Sequence, residues 1–278
     1  ASTSSQGYVA INRDANRGFN KTQITNAINS LSVGGATSSA EAMRRAKAEL
    51  DSVPTDYRSS LRVIVFFSDG APNIVSGTFC NNGSSVCSGS SQRRGGLYSE
   101  TSSGGAPYRM FSRVYRDTSL ADADNIEFLP ANDYDSTISG SGTVPLASYN
   151  GARTLTMSGG SIQNSRCNVN KAARNMVENV ANEARSGSGN DAITVMTLGL
   201  GARLNSLEID FCGYNLGSER GSTILRRLAN TNDLDTDSDP LVSHNANQPT
   251  GLYCFAQTDE NLDDCFQVIA NQILRLTK

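Results

Sequence analysis

The stretch VIVFFSDGAPN, Val63 to Asn73, decides how this chain folds. Five apolar residues run straight into Ser68-Asp69-Gly70, and Ala71-Pro72-Asn73 then breaks the run. A short segment so rich in Val, Ile and Phe reads as a strand buried on both faces, the kind found in parallel sheets. Asp69 falls where that strand leaves the core, on the edge where open α/β sheets bind ligands.

Working outward, helical and strand patterns alternate. Ile24, Ala27, Ile28 and Leu31 keep helical spacing behind an Asn20–Gln23 capping box. A second helix opens at Ser38 with Glu41 as box partner, predicted to carry Met43, Ala46 and Leu50 inward and Arg44, Arg45 and Lys47 outward. Far downstream, Ala173, Met176, Val177, Val180 and Ala184 form a helical stripe, followed by a strand from Ala192 to Leu198 that ends at Gly199. A short helix at Ile224–Ala229, a strand at Leu252–Ala256 and a closing helix from Asp259 to Leu276 complete the set. In that last helix Leu262, Phe266, Ile269, Ala270 and Ile273 are predicted to share one face. Such alternation implies an α/β fold, a doubly wound, mostly parallel sheet covered on both sides.

Between these parts the composition changes. Residues 74–166 are turn-rich, with short strand-like pieces at RMFSRVYRD and ARTLTMSG. A loop of this length inside a compact domain is normally functional or an inserted subdomain. The expected division is therefore 1–73 with 167–278 as the main domain, and 74–166 as a β/loop-rich insertion. A surface excursion is the alternative.

The 278 residues carry a formal charge of −3, and no basic stripe offsets it, so a nucleic-acid partner is not expected. The apolar runs are only strand length, so no membrane span is expected. Ala1 to Gln6 has neither the basic nor the apolar region of a signal peptide; any export signal or anchor would lie upstream. Cys80, Cys87, Cys167, Cys212, Cys254 and Cys265 show no C-x-x-C spacing, and there is one histidine, which argues against structural zinc. An even cysteine count with abundant Ser, Gly and Asn points to an extracytoplasmic setting: periplasm, cell surface or secreted. The favoured pairs are Cys80–Cys87, Cys167–Cys212 and Cys254–Cys265, with buried free thiols the alternative for the last two.

Several catalytic patterns fail. Gly199 to Leu204, GLGARL, begins like a dinucleotide loop, but Leu204 replaces the glycine that close helix packing needs. Neither a phosphate loop nor a nucleophile elbow occurs. A Ser-His-Asp triad would have to use His244, which lies in a polar loop. Asp233, Asp235, Asp237 and Asp239 alternate in NDLDTDSDP and could wrap a calcium ion. The spacing is not that of an EF-hand, because Ser238 and His244 stand at its glycine and glutamate positions, and a solvated acidic loop fits as well. Thr37 and Asp69 remain. A hydroxyl just before a helix and a carboxylate ending the next strand both fall on the carboxyl edge of the sheet, where hard cations such as Mg²⁺ take oxygen ligands. Taken alone, the pair also fits a helix N-cap and a turn-forming Asp-Gly.

GGATSSAEAMRRA followed by RVIVFFSDGAPN resembles the von Willebrand factor type A domain. Its metal-ion-dependent adhesion site uses a threonine in such a loop and an aspartate at the end of the next strand. The resemblance implies that Thr37 and Asp69 are ligands of Mg²⁺, or of Mn²⁺ or Ca²⁺. ITVMTLGLG looks like the following strand of that fold, and the stretch from Gly251 to Lys278 like its last strand and helix. This closing stretch is similar to the domains of bacterial tight-adherence (Tad) pilus-assembly proteins. The family site also needs D-x-S-x-S at the end of a first, central strand, and no such strand precedes Thr37. Asp135 to Ser139 has the spacing, but polar residues rather than a buried strand come before it. The family fold is thus expected here without its first strand and helix. Val63–Phe67 would be left as a bare edge, which an upstream segment or second chain should complete. The implied function is a non-catalytic, cell-surface binding or adhesion module acting on a protein partner or surface ligand. The alternative is a structural subunit of a surface assembly with an incomplete metal site. No nucleophile–base pair supports an enzyme.

Overall fold

The computed structural model describes residues 37–54, 56, 58–80, 82–99, 108–110, 126–133, 144–147, 153–187, 189–205, 219–232 and 244–277, with isolated positions between 22 and 30. Ile24, Ala27, Ile28 and Leu31, which carry the first expected helix, lie outside the described residues, but Thr22, Thr25, Asn26 and Asn29 among them are helical.

Helix α1 (Ser39–Asp51) leads into β1 (Arg62–Ser68). Then β2 (Ile74–Cys80), β3 (Gln92–Tyr98) and β4 (Tyr108–Met110) form an antiparallel sheet. Five short strands follow: β5 (Phe128–Leu129), β6 (Asn132–Asp133), β7 (Val144–Pro145), β8 (Met157–Ser158) and β9 (Ser161–Gln163). The chain continues through α2 (Arg166–Arg185), β10 (Ile193–Leu200), α3 (Gly221–Ala229), β11 (Tyr253–Ala256) and α4 (Leu262–Leu276).

The three long-range strands make a parallel sheet in the order β1-β10-β11. Alternation along the strands sorts the side chains into two faces. Ile64 and Phe66 of β1, with Ile193 and Val195 of β10, join α1, α2 and α3 in one core. Met196 and Leu198 of β10 face the other way and pack, with Ala256, on Cys265 and Ile269 of α4. The predicted stripe Ala173, Met176, Val177, Val180, Ala184 is fully buried, and Ser165 caps α2 by accepting from Asn168 N–H at 3.1 Å. Burying Met176, Val177 and Val180 stabilises by roughly 1.5–3 kcal/mol each, which seats α2 on the core.

Three local expectations need correction. Ser38 makes no capping hydrogen bond; Glu41 instead accepts from Arg45 one turn on, at 2.8 Å. Arg44, expected outward, is only 5% exposed, because α1 packs along α2 and places it near Glu183. Burial raises the Glu183 carboxyl above its ordinary value, although Lys47 and Arg44 both draw it down. In α4, Phe266 and Ala270 do not share the buried face. The line that packs on the sheet is Leu262, Cys265, Ile269 and Ile273, while Phe266 is 47% exposed.

The segment from β2 to β9 shares its core with the rest. Val75, Phe79, Leu97, Ile126, Leu129, Leu146, Leu155 and Ile162 are buried in the same cluster as Val169, Ala173 and Met176 of α2. A buried charge cluster fastens it further. The Arg153 guanidinium donates to Glu178 Oε1 at 2.7 Å, to Glu178 Oε2 at 3.0 Å, to Asn175 Oδ1 at 3.1 Å and to both oxygens of Glu219. Arg174 donates to Glu219 at 2.9 Å, and Arg227 donates to Glu178 at 2.8 Å and to Glu219. Burial alone would raise the Glu219 carboxyl, but Arg153, Arg227 and Arg174 override it and hold it far below the usual carboxylate range. Burial acts against the charged form of Arg153 too, and Glu178 and Glu219 outweigh it.

Two expected disulfides are formed, Cys80–Cys87 across the turn after β2 and Cys254–Cys265 between β11 and α4. Cys167, in the first turn of α2, is disulfide-bonded as well. Cys212, the partner expected for it, lies outside the described residues. No described helix is long and apolar enough to cross a membrane.

Candidate functional site

Strand β1 delivers its last residues to the carboxyl edge of the sheet, and a local turn sets their directions. Ser68 Oγ donates to Gly70 O at 2.7 Å and accepts from Gly70 N–H at 3.3 Å. That small ring curls the chain and leaves Asp69 exposed. Thr37 is brought to the same place by Asn73. Thr37 N–H donates to Asn73 Oδ1 at 2.6 Å, and Asn73 N–H donates back to Thr37 O at 3.2 Å. The result brings Thr37 Oγ1 against the turn: a Cβ on Gly70 would lie 3.1 Å from it. Any residue but glycine would crowd the hydroxyl, so Gly70 keeps that space open.

Thr37 and the Asp69-Gly70 turn, expected on one sheet edge from residues 32 positions apart, do meet there, with Thr37 Oγ1 against Gly70. Among the described residues, neither the Thr37 hydroxyl nor the Asp69 carboxylate has a hydrogen-bond or ion-pair partner. Two hard oxygen donors, on adjoining turns at one sheet edge, are thus left without a competing bond. Their chemistry fits Mg²⁺, Mn²⁺ or Ca²⁺, each of which takes about six or more oxygens, so the pair supplies part of a shell. Among the described residues no three His, Cys, Asp or Glu side chains converge. Asn73 is the residue that sequence reasoning missed. Its position after Pro72 marked a turn, but nothing in the sequence showed that its amide closes on Thr37.

The edge of β1 that no described strand covers begins beside this site. On one side β1 pairs with β10 from Arg62 to Ser68; no described strand pairs with the other. On the α4 side of the sheet Val65 is 42% and Phe67 47% exposed. No Lys, Pro or bulge interrupts those seven residues, the devices that normally protect a solvent edge.

The other candidates contribute less. Gly199 to Leu204 leads into a single 3-10 turn, Ala202–Asn205, which offers no α-helical N-terminus for a phosphate. His244 is exposed, with Nε2 2.8 Å from Thr250 Oγ1. Asp233, Asp235, Asp237 and Asp239 lie outside the described residues, as does Asp135 to Ser139. No family model matches this chain, and neither a curated protein nor a solved structure does.

Proposed function

We propose that the chain is the greater part of a non-catalytic, von Willebrand A-like binding module on an extracytoplasmic surface, of the kind found in Tad pilus-assembly proteins. In this reading Thr37 and Asp69 are two of the oxygen ligands of a divalent cation, Mg²⁺, Mn²⁺ or Ca²⁺. The observation that carries it is the placement of Thr37 Oγ1 against the Asp69-Gly70 turn, both side chains unpaired, at the carboxyl edge of a parallel sheet. The strand order β1-β10-β11 supports it, since these are the three segments that resemble consecutive strands of that family. Two disulfides suit an extracytoplasmic setting. The remaining ligands are to come from a strand laid on the free edge of β1 by an upstream segment or a second chain. The bound cation's role is to take a carboxylate from the protein or surface ligand.

The test is thermal unfolding of the oxidised chain with and without added Mg²⁺, Mn²⁺ or Ca²⁺. A cation-dependent rise in Tm that Asp69→Ala abolishes is the expected result. An equal rise in Asp69→Ala removes the role assigned to that carboxylate. A second reading is favoured by the bare edge itself: a structural subunit whose β1 is covered within an assembly, the cation site being incomplete. Stable oligomers in native mass spectrometry with no cation effect would select it. A companion fragment bearing an apolar strand and D-x-S-x-S would select the first.

A further inference from the structure

We infer that Asn73 is the positioning residue of the Thr37–Asp69 pair: its side-chain amide sets where the Thr37 hydroxyl stands and thereby sets cation affinity. The inference rests on the cation reading above but concerns a different residue, one that acts only through its contact with Thr37. Thr37 precedes α1 by two residues, and Ser38 makes no capping hydrogen bond there, so the helix itself does not fix the Thr37 backbone. Asn73 does. Its Oδ1 accepts from Thr37 N–H at 2.6 Å and its own N–H donates to Thr37 O at 3.2 Å, closing a two-bond ring between two loops 36 positions apart.

Asn73 is in turn held from the far side. Ser99 N–H, at the end of β3, donates to Asn73 O at 3.1 Å, and Ser99 is only 2% exposed. Pro72 before it is buried. The side chain thus projects from a backbone fixed by β1 on one side and by the β2–β3 pair on the other. Its carbonyl oxygen is what a backbone N–H requires, and the group is uncharged. A change confined to this side chain leaves both backbone bonds of Asn73 intact, so it loosens Thr37 without dismantling the sheet.

Partners that orient a metal ligand from behind typically change affinity by about 10–100-fold when removed. Asn73→Ala should therefore weaken Mn²⁺ binding to the full oxidised chain by that factor, read by calorimetry with MnCl₂. Asn73→Asp keeps an acceptor oxygen and should restore affinity to the parent level or better. A second, metal-free measurement reads the positioning directly. In ¹⁵N-labelled protein the Thr37 amide should exchange slowly in the parent and in Asn73→Asp, and at least tenfold faster in Asn73→Ala. Unchanged exchange in Asn73→Ala overturns the inference, and so does faster exchange with unchanged Mn²⁺ affinity. If the parent chain binds no Mn²⁺, the cation reading fails and the affinity half of the inference with it. The amide exchange then still decides whether Asn73 holds Thr37.

Discussion

Replacing Glu219 with Gln probes the structure where its charges are most concentrated. Among the described residues the buried cluster sets three guanidiniums, Arg153, Arg174 and Arg227, against two carboxylates, Glu178 and Glu219. Glu219→Gln keeps the shape but leaves three cations facing one anion. Removing one partner of a buried charge pair costs about 3–5 kcal/mol, because the remaining charge is desolvated without compensation. Arg153→Met is the contrasting change. It leaves two cations and two anions, with Arg227 still 2.8 Å from Glu178 and Arg174 still 2.9 Å from Glu219. Its loss is confined to the hydrogen bonds of one guanidinium in a packed site, on the order of 1–3 kcal/mol. The assay is equilibrium urea unfolding of the oxidised chain followed by far-ultraviolet circular dichroism, with m-values checked for constancy. Glu219→Gln should be the worse variant by about 2 kcal/mol. Equal losses, or the reverse order, would refute the argument that uncompensated charge rather than lost hydrogen bonding governs this cluster.

Acid should act through the same carboxylate. The folded state holds Glu219 below its unfolded value, so its contribution is fully present above about pH 4.3 and declines as pH falls below it, with a limiting slope near 1.4 kcal/mol per pH unit. Urea midpoints measured from pH 6 down to pH 3 should show that decline, and Glu219→Gln should flatten it. Cys254 and Cys265 close a loop with a sequence separation of 11, which the chain-entropy model values at about 3 kcal/mol. The double serine variant should lose that amount, and an unchanged midpoint would show that α4 needs no tether. Finally, Val65 and Phe67 form an apolar strip on an edge that no described strand covers, so the isolated chain should self-associate as its concentration rises. Phe67→Lys should suppress this in sedimentation velocity while shifting stability by no more than about 0.5 kcal/mol, the usual range for an exposed site.

What could be read before the structure was known follows from range. Val63–Phe67 announced itself as a strand by its consecutive apolar residues, but the expected burial on both faces fails: Ile64 and Phe66 are buried, while Val65 and Phe67 are 42% and 47% exposed because no described element covers that face of β1. The α2 stripe announced itself because one helix face repeats over about three turns. Both are local consequences of periodicity. Arg44 read as outward because charge normally marks a solvated face; it is inside because α1 packs along α2, a relation between distant segments that no local pattern shows. The Arg153–Glu219 pairing spans 66 positions, and no local pattern distinguishes those two residues from any surface Arg and Glu. Phe266 kept the right helical spacing yet stands exposed, since β11 and β10 support α4 while nothing described lies over the adjacent face of β1. At the site, strand–helix alternation put Thr37 and Asp69 on one sheet edge, while their pairing as ligands came only from the family resemblance. The role of Asn73 could not be read, since it is a single amide contact.

The bond between Cys254 and Cys265 has a mechanical meaning for any protein that serves in a surface assembly. Tension applied at the carboxyl terminus would first uncoil α4, whose hydrogen bonds lie along the pull and open one at a time. Unwinding must stop at Cys265, where the covalent link passes the load into β11. From there the load meets the parallel β10–β11 and β1–β10 ladders along their strands, so that hydrogen bonds must be sheared together instead of opened in sequence. Under such a pull the last helix would extend first, and the disulfide would hand the load to the sheet.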